Sequence, residues 1–176
     1  MNKNKFSPAR AVAIVGISAA AIECGKLALA ALPNLEVVSI LVAVFSYVFG
    51  PLGFLATVVF VSIEPMIYGF GSWVVSYIVY WPTLSLVFIL LRRLQVKNRI
   101  LISGVAVLMT FFFGVLSSLI DVGLFSGFFE NFFTRFYVYY ARGLVFYALQ
   151  IACNATLFPL LFPFLTKKLD MIMKLH

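Results

Sequence analysis

Charged side chains are scarce in this chain, and no long polar segment interrupts it. Only 11% of its 176 residues are charged, whereas 64% are hydrophobic and the mean hydropathy is +1.10. Soluble domains average about 25% charged and roughly 45–50% apolar residues. A small soluble fold keeps much of its area in water and has no place to hide this much apolar surface. Lipid removes the conflict. The lack of a long polar stretch also excludes a sizeable extramembrane domain.

Catalytic signatures are missing as well. The chain has no Gly-x-x-x-x-Gly-Lys-Ser/Thr cradle for nucleotide phosphates, no His-Glu-x-x-His and no Gly-x-Ser-x-Gly. Its one histidine is His176, and Asp121 stands alone where an intramembrane acid pair would be needed. These absences argue against an enzyme. The two cysteines, Cys24 and Cys153, lie in separate apolar runs without metal-ligand spacing, and read as small hydrophobes. No internal repeat of the kind found in many secondary transporters is visible.

What charge there is lies in a pattern. The net charge is +7, and most cations fall in three short clusters. Lys3, Lys5 and Arg10 precede the first apolar run; Arg92, Arg93, Lys97 and Arg99 lie mid-chain; Lys167, Lys168 and Lys174 lie near the end. Clusters of this sort mark the cytoplasmic flanks of spans rather than a nucleic-acid surface. The first run is too long for a signal peptide core and carries Glu23 and Lys26, so it is expected to remain as a span. The run 37–63 is broken at Gly50-Pro51-Leu52-Gly53, either as one broken helix or as two helices. Parity decides. Placing all three clusters on one side needs an even number of crossings before Arg92, which favours two helices turning at Gly50-Pro51. The expectation is an all-α bundle of six transmembrane helices at about 9–32, 36–50, 52–67, 72–91, 100–122 and 138–165. Both termini would be cytoplasmic and the chain a single transmembrane domain. The loops at 33–36, 64–71 and 123–134 then share the outer face.

Ionisable groups inside spans are functional candidates by default. Glu23 and Lys26, at i and i+3, share a helix face and can pair. Glu36 and Glu64 flank the first two outer loops, and Glu64-Pro65 is expected to end a helix. Tyr68, Phe70 and Trp73 beside Glu64 suggest a lined pocket, although Trp and Tyr also serve as interfacial anchors. Arg135, Tyr139 and Arg142, at i, i+4 and i+7, share a face; they suit a phosphate or carboxylate ligand, or equally snorkelling and pairing with Asp121 or Glu64. Gln150 and Asn154 are placed to hydrogen-bond neighbouring helices. On the first helix Gly16 and Ala20, with Ala9, Ala13 and Ala19, form a small-residue surface for packing within the bundle or for a partner.

Three motifs carry a family likeness: Leu32-Pro33-Asn34-Leu35-Glu36, the run Glu64-Pro65-Met66-Ile67-Tyr68-Gly69-Phe70-Gly71-Ser72-Trp73, and Tyr80-Trp81-Pro82. With them the chain resembles the substrate-binding S components of energy-coupling factor (ECF) vitamin transporters, most of all the cobalamin branch. The resemblance implies a six-helix subunit of a bacterial cell membrane. It would capture a vitamin outside and deliver it inward with a membrane T subunit and two cytoplasmic ATPases. It implies docking through Ala13, Gly16 and Ala20. It also implies a cobalamin site in which Tyr68, Phe70, Trp73 and Tyr77 cover the macrocycle, while Asn34, Asn131 and Arg135 meet amides or phosphate. Glu36, Glu64, Tyr139 and Arg142 complete the set. Another micronutrient (a queuosine precursor, a pyridoxine-like vitamin or a thiamin precursor) is the alternative ligand, and a scaffold without a ligand the alternative class.

Overall fold

A computed structural model describes residues 6–31, 36–125, 127–128 and 130–174. Among these the chain forms six α-helices and no strand: α1 (Pro8–Ala28), α2 (Val38–Phe49), α3 (Pro51–Tyr68), α4 (Ser72–Arg93), α5 (Arg99–Ile120) and α6 (Phe132–Lys174). A π-helical turn, Asp121–Phe125, prolongs α5. Five helices are long and apolar enough to cross a membrane: α1, α3, α4, α5 with its extension, and α6. The exception is α2. Its 12 residues reach only about 18 Å, short of a hydrocarbon core of about 30 Å.

α2 is nevertheless the centre of the bundle. Eight of its 12 residues are buried, because α1, α3, α4 and α6 surround it. That is why it is apolar on every side rather than along one stripe. The shared core includes Phe60 of α3, Trp81 and Phe88 of α4, and Phe158 and Phe162 of α6. Hydroxyls supplement this packing, as where Ser46 of α2 meets Ser85 of α4 at 2.7 Å. In lipid such interhelical bonds and close packing hold helices together, since burial of apolar surface gives little driving force.

The break between α2 and α3 is a sharp turn at Gly50, whose φ of 59° is in the left-handed region open to glycine. Pro51 follows at the first position of α3, where a missing N–H costs nothing. The chain then folds back tightly. A Cβ on Gly53 would come within 2.4 Å of the Phe45 carbonyl oxygen, so only glycine lets α3 lie this close to α2.

Two expectations need correction. Glu64-Pro65 does not end a helix. α3 continues through Pro65 to Tyr68, and the Gly69 N–H closes it on the Pro65 carbonyl at 3.0 Å. Proline cannot donate to the preceding turn, but a helix tolerates it where neighbours support the backbone. The last helix is also longer than 138–165. It starts at Phe132, directly after Asn131 in a left-handed conformation (φ 60°), and runs 43 residues through Pro159 and Pro163.

The described members of the basic clusters gather at one end of the bundle. Arg10 reaches the sulfur of Met173 at 3.8 Å, and both oxygens of Asp170 lie 3.4 Å from Arg92. Tyr47, three residues before the Gly50 turn, donates to the Val96 carbonyl in the α4–α5 connection at 2.9 Å. The start of α1, the α2–α3 turn, the α4–α5 connection and the end of α6 therefore share this basic end.

Candidate functional site

At the opposite end, α1, α3 and α4 bring seven polar and aromatic groups together. Lys26 of α1 forms an ion pair with Glu64 of α3, which is fully buried. The Lys26 ammonium lies 4.0 Å from the centre of the Tyr68 ring and 5.7 Å from that of Tyr77, so two π faces share the cation with the carboxylate. Tyr68 in turn donates its hydroxyl to Glu23 at 3.0 Å. Tyr77 is wedged edge-on between Trp73 and Trp81, at 5.1 and 5.5 Å between ring centres. The expected pairing of Glu23 with Lys26 thus gives way to a longer-range one. Glu64 is the more deeply buried carboxylate and gains more from the cation, while Glu23 is served by a phenol.

This cluster is not saturated. Among the described residues, Oε1 of Glu64, Oε2 of Glu23 and Nε1 of Trp81 are buried without a hydrogen-bond partner. Buried polar atoms are almost always paired, and Glu23 and Glu64 lie within hydrogen-bonding reach of each other, so the two carboxyls call for one added donor, a proton shared between them or a group from outside the chain.

A second polar group lies alongside. Glu36, just before α2, accepts from the Ser39 hydroxyl at 2.6 Å and from Asn154 Nδ2 of α6 at 3.0 Å. Asn154 Nδ2 also donates to Thr110 of α5 at 2.9 Å, and the Cys153 thiol reaches the Glu36 carbonyl at 3.5 Å. Glu36 therefore does more than flank a loop. It ties the start of α2 to α5 and to the middle of α6. Tyr77 lies within electrostatic reach of Glu23, Glu36 and Glu64.

The third group belongs to α5, α6 and the segment joining them. Tyr139 donates to Asp121 at 2.9 Å, Arg135 donates to the Gly127 carbonyl, and Ser118 meets the Tyr147 hydroxyl at 3.1 Å. Arg142 is exposed on α6, and Glu64 has Lys26 rather than Arg142 as its ion-pair partner. Asn131 is exposed and accepts the Arg135 backbone N–H at 3.0 Å through its carbonyl, a helix-starting role. Phe70 is 87% exposed and stands apart from the aromatic cluster. Asn34 lies outside the described residues.

Sequence reasoning therefore named Glu64, Tyr68, Trp73 and Tyr77, which the fold brings together. It missed Trp81 as their neighbour, and Ser39 and Thr110 as partners of Glu36 and Asn154. Trp81 stood in the Tyr80-Trp81-Pro82 motif and was within reach of an i+4 count from Tyr77. Ser39 and Thr110 carried no signal of their own.

Ala13, Gly16 and Ala20 are all exposed, as are Val12 and Ile17 beside them, and a Cβ on Gly16 would meet nothing within 4 Å. α1 turns Ser18, Ala19 and Ile22 inward instead. No group of three or more His, Cys, Asp or Glu suited to a metal ion occurs among the described residues. Comparisons with protein-family models, with curated proteins and with solved structures find no match to this chain.

Proposed function

We propose that this protein is a membrane-embedded substrate-binding subunit, of the S-component type in ECF importers, that captures a small ligand at the end opposite its basic clusters. The observation that carries this reading is the pair of orphaned, buried carboxylate oxygens on Glu23 and Glu64, set beside Lys26 and edged by Tyr68, Tyr77, Trp73 and Trp81. Acceptors call for a ligand rich in N–H or O–H donors, and the rings call for one with a broad apolar face. Cobalamin, with amide-fringed edges around a flat macrocycle, has both and is the ligand proposed. In this reading α2 and α3 each cross the bilayer, giving six crossings with both termini cytoplasmic, and the polar cluster opens to the outside of a bacterial cell membrane. The outward small-residue strip of α1 supports docking on a T subunit, with ATP hydrolysis left to two ATPase chains.

Calorimetry on the purified protein with cobalamin, cobinamide and a vitamin panel tests the reading. Saturable heat with cobalamin, lost in the Glu64→Gln and Tyr77→Ala variants, is expected. Saturation with a different vitamin would replace the ligand and keep the class. Silence across the panel, with no co-purifying T subunit or ATPase, would replace the class by a scaffold.

A further inference from the structure

The basic end contains a cavity of about 520 Å³ between α2, the α4–α5 connection and the last turns of α6. Its polar wall is made by Tyr47, Arg92, Lys97, Arg99, Lys167 and Asp170. Four cations therefore face one carboxylate. Arg92 is held in place, its guanidinium 5.1 Å from the centre of the Tyr47 ring and both oxygens of Asp170 at 3.4 Å. Lys97, Arg99 and Lys167 have no carboxylate within ion-pairing distance among the described residues. Lys97, Arg99 and Lys167 are exposed, so water screens part of their mutual repulsion, and an anion held among them would relieve the rest.

The remaining wall decides what kind of anion. Ile102, Phe158 and Phe162 line the cavity with buried apolar side chains, so it has a charged mouth and a greasy floor. Leu94 and Ile100, flanking Lys97 and Arg99, are 64% and 83% exposed. Apolar side chains so exposed beside cations mark the headgroup level rather than bulk water. We propose that this cavity binds the phosphodiester headgroup of an anionic phospholipid, with Lys97, Arg99 and Lys167 on the phosphate and the first acyl carbons against Phe158 and Phe162. Basic pockets between helices at a cytoplasmic face are suited to such headgroups. The site is separate from the ligand cluster at the other end and does not depend on it.

The test uses the delipidated full chain in a neutral detergent, with native mass spectrometry and thermal unfolding as readouts. Phosphatidylglycerol should be retained at least about tenfold better than phosphatidylcholine, given roughly a kilocalorie per mole for each basic residue near an anionic surface. The Lys97→Gln/Arg99→Gln/Lys167→Gln variant should lose that preference. An Arg93→Gln/Lys168→Gln variant, altered at the same end but outside the cavity wall, should keep it. Equal retention of the two lipids by the unaltered chain overturns the proposal without any variant. So does a preference that survives the triple change, or one lost equally in the control. Thermal stabilisation by sn-glycerol 3-phosphate equal to that by phosphatidylglycerol would assign the cavity to a soluble phosphate instead.

Discussion

The ammonium of Lys26 sits among a buried carboxylate and two phenol rings, and its removal would strand Glu64 without a counter-charge. Breaking a buried pair from one side costs about 3–5 kcal/mol, whereas replacing both partners by apolar groups is often neutral. Lys26→Met should therefore destabilise the protein by about that amount, and Lys26→Met/Glu64→Leu should recover most of it. Unfolding of the purified variants in bicelles measures both; a double variant as unstable as the single would show that the pair is not the source of the loss. At this scale the sequence was only half legible. Spacing along one helix joined Glu23 to Lys26, because i,i+3 neighbours are the pairs a linear reading sees. The true partner lies 38 residues away, and burial rather than spacing selects it. Likewise Glu36 read only as a neighbour of the first outer loop, because Asn154, which donates to it and to Thr110, resides on a distant helix.

Helix α1 and the α2–α3 hairpin make contrasting demands on their glycines. At Gly53 any side chain would collide with the Phe45 backbone, and backbone cannot step aside. Gly53→Leu is expected to cost of order 1–3 kcal/mol or more as the two helices separate. At Gly16 the same change meets open space. Gly16→Leu should leave the unfolding temperature unchanged while reducing recovery of a T subunit in pull-down from membranes. Loss of stability in Gly16→Leu would mean that this face is packed within the molecule. The elements themselves were largely legible. Gly-Pro at 50–51 announced a turn because proline starts helices well and glycine ends them. Pro65 misled, because the same residue that limits a helix in water is carried through one whose neighbours shield its backbone. The start of α6 lies earlier than expected because residues 132–134 read as the end of an irregular loop and the span as beginning at 138, although the backbone is helical from Phe132.

For the whole molecule, the distribution of charge is the organising fact. The described members of three basic clusters far apart in sequence meet at one end, as the reading of all three as flanks on one side of the membrane expects. Cysteine accessibility in a Cys24→Ala/Cys153→Ala background examines the orientation. A thiol at Gln95→Cys should react with an impermeant reagent only from the cytoplasmic side, and one at Phe70→Cys only from outside. Labelling of both from one side would remove the six-crossing arrangement. The lengths of the helices have a further consequence, for the lipid rather than for the protein. The shortness of α2 is hidden from the bilayer because neighbouring helices surround it. α6 has no such cover: Leu144, Val145, Phe146, Leu149, Leu160 and Phe164 are all exposed. The uncharged stretch between Arg142 and Lys167 is about 36 Å long, several ångströms more than a typical hydrocarbon core of about 30 Å. Bilayer elasticity must absorb that excess by tilt or by local thickening. Stability measured across lipids of graded acyl length should therefore peak on the thick side of the usual range, making this one helix a gauge of the membrane that holds it.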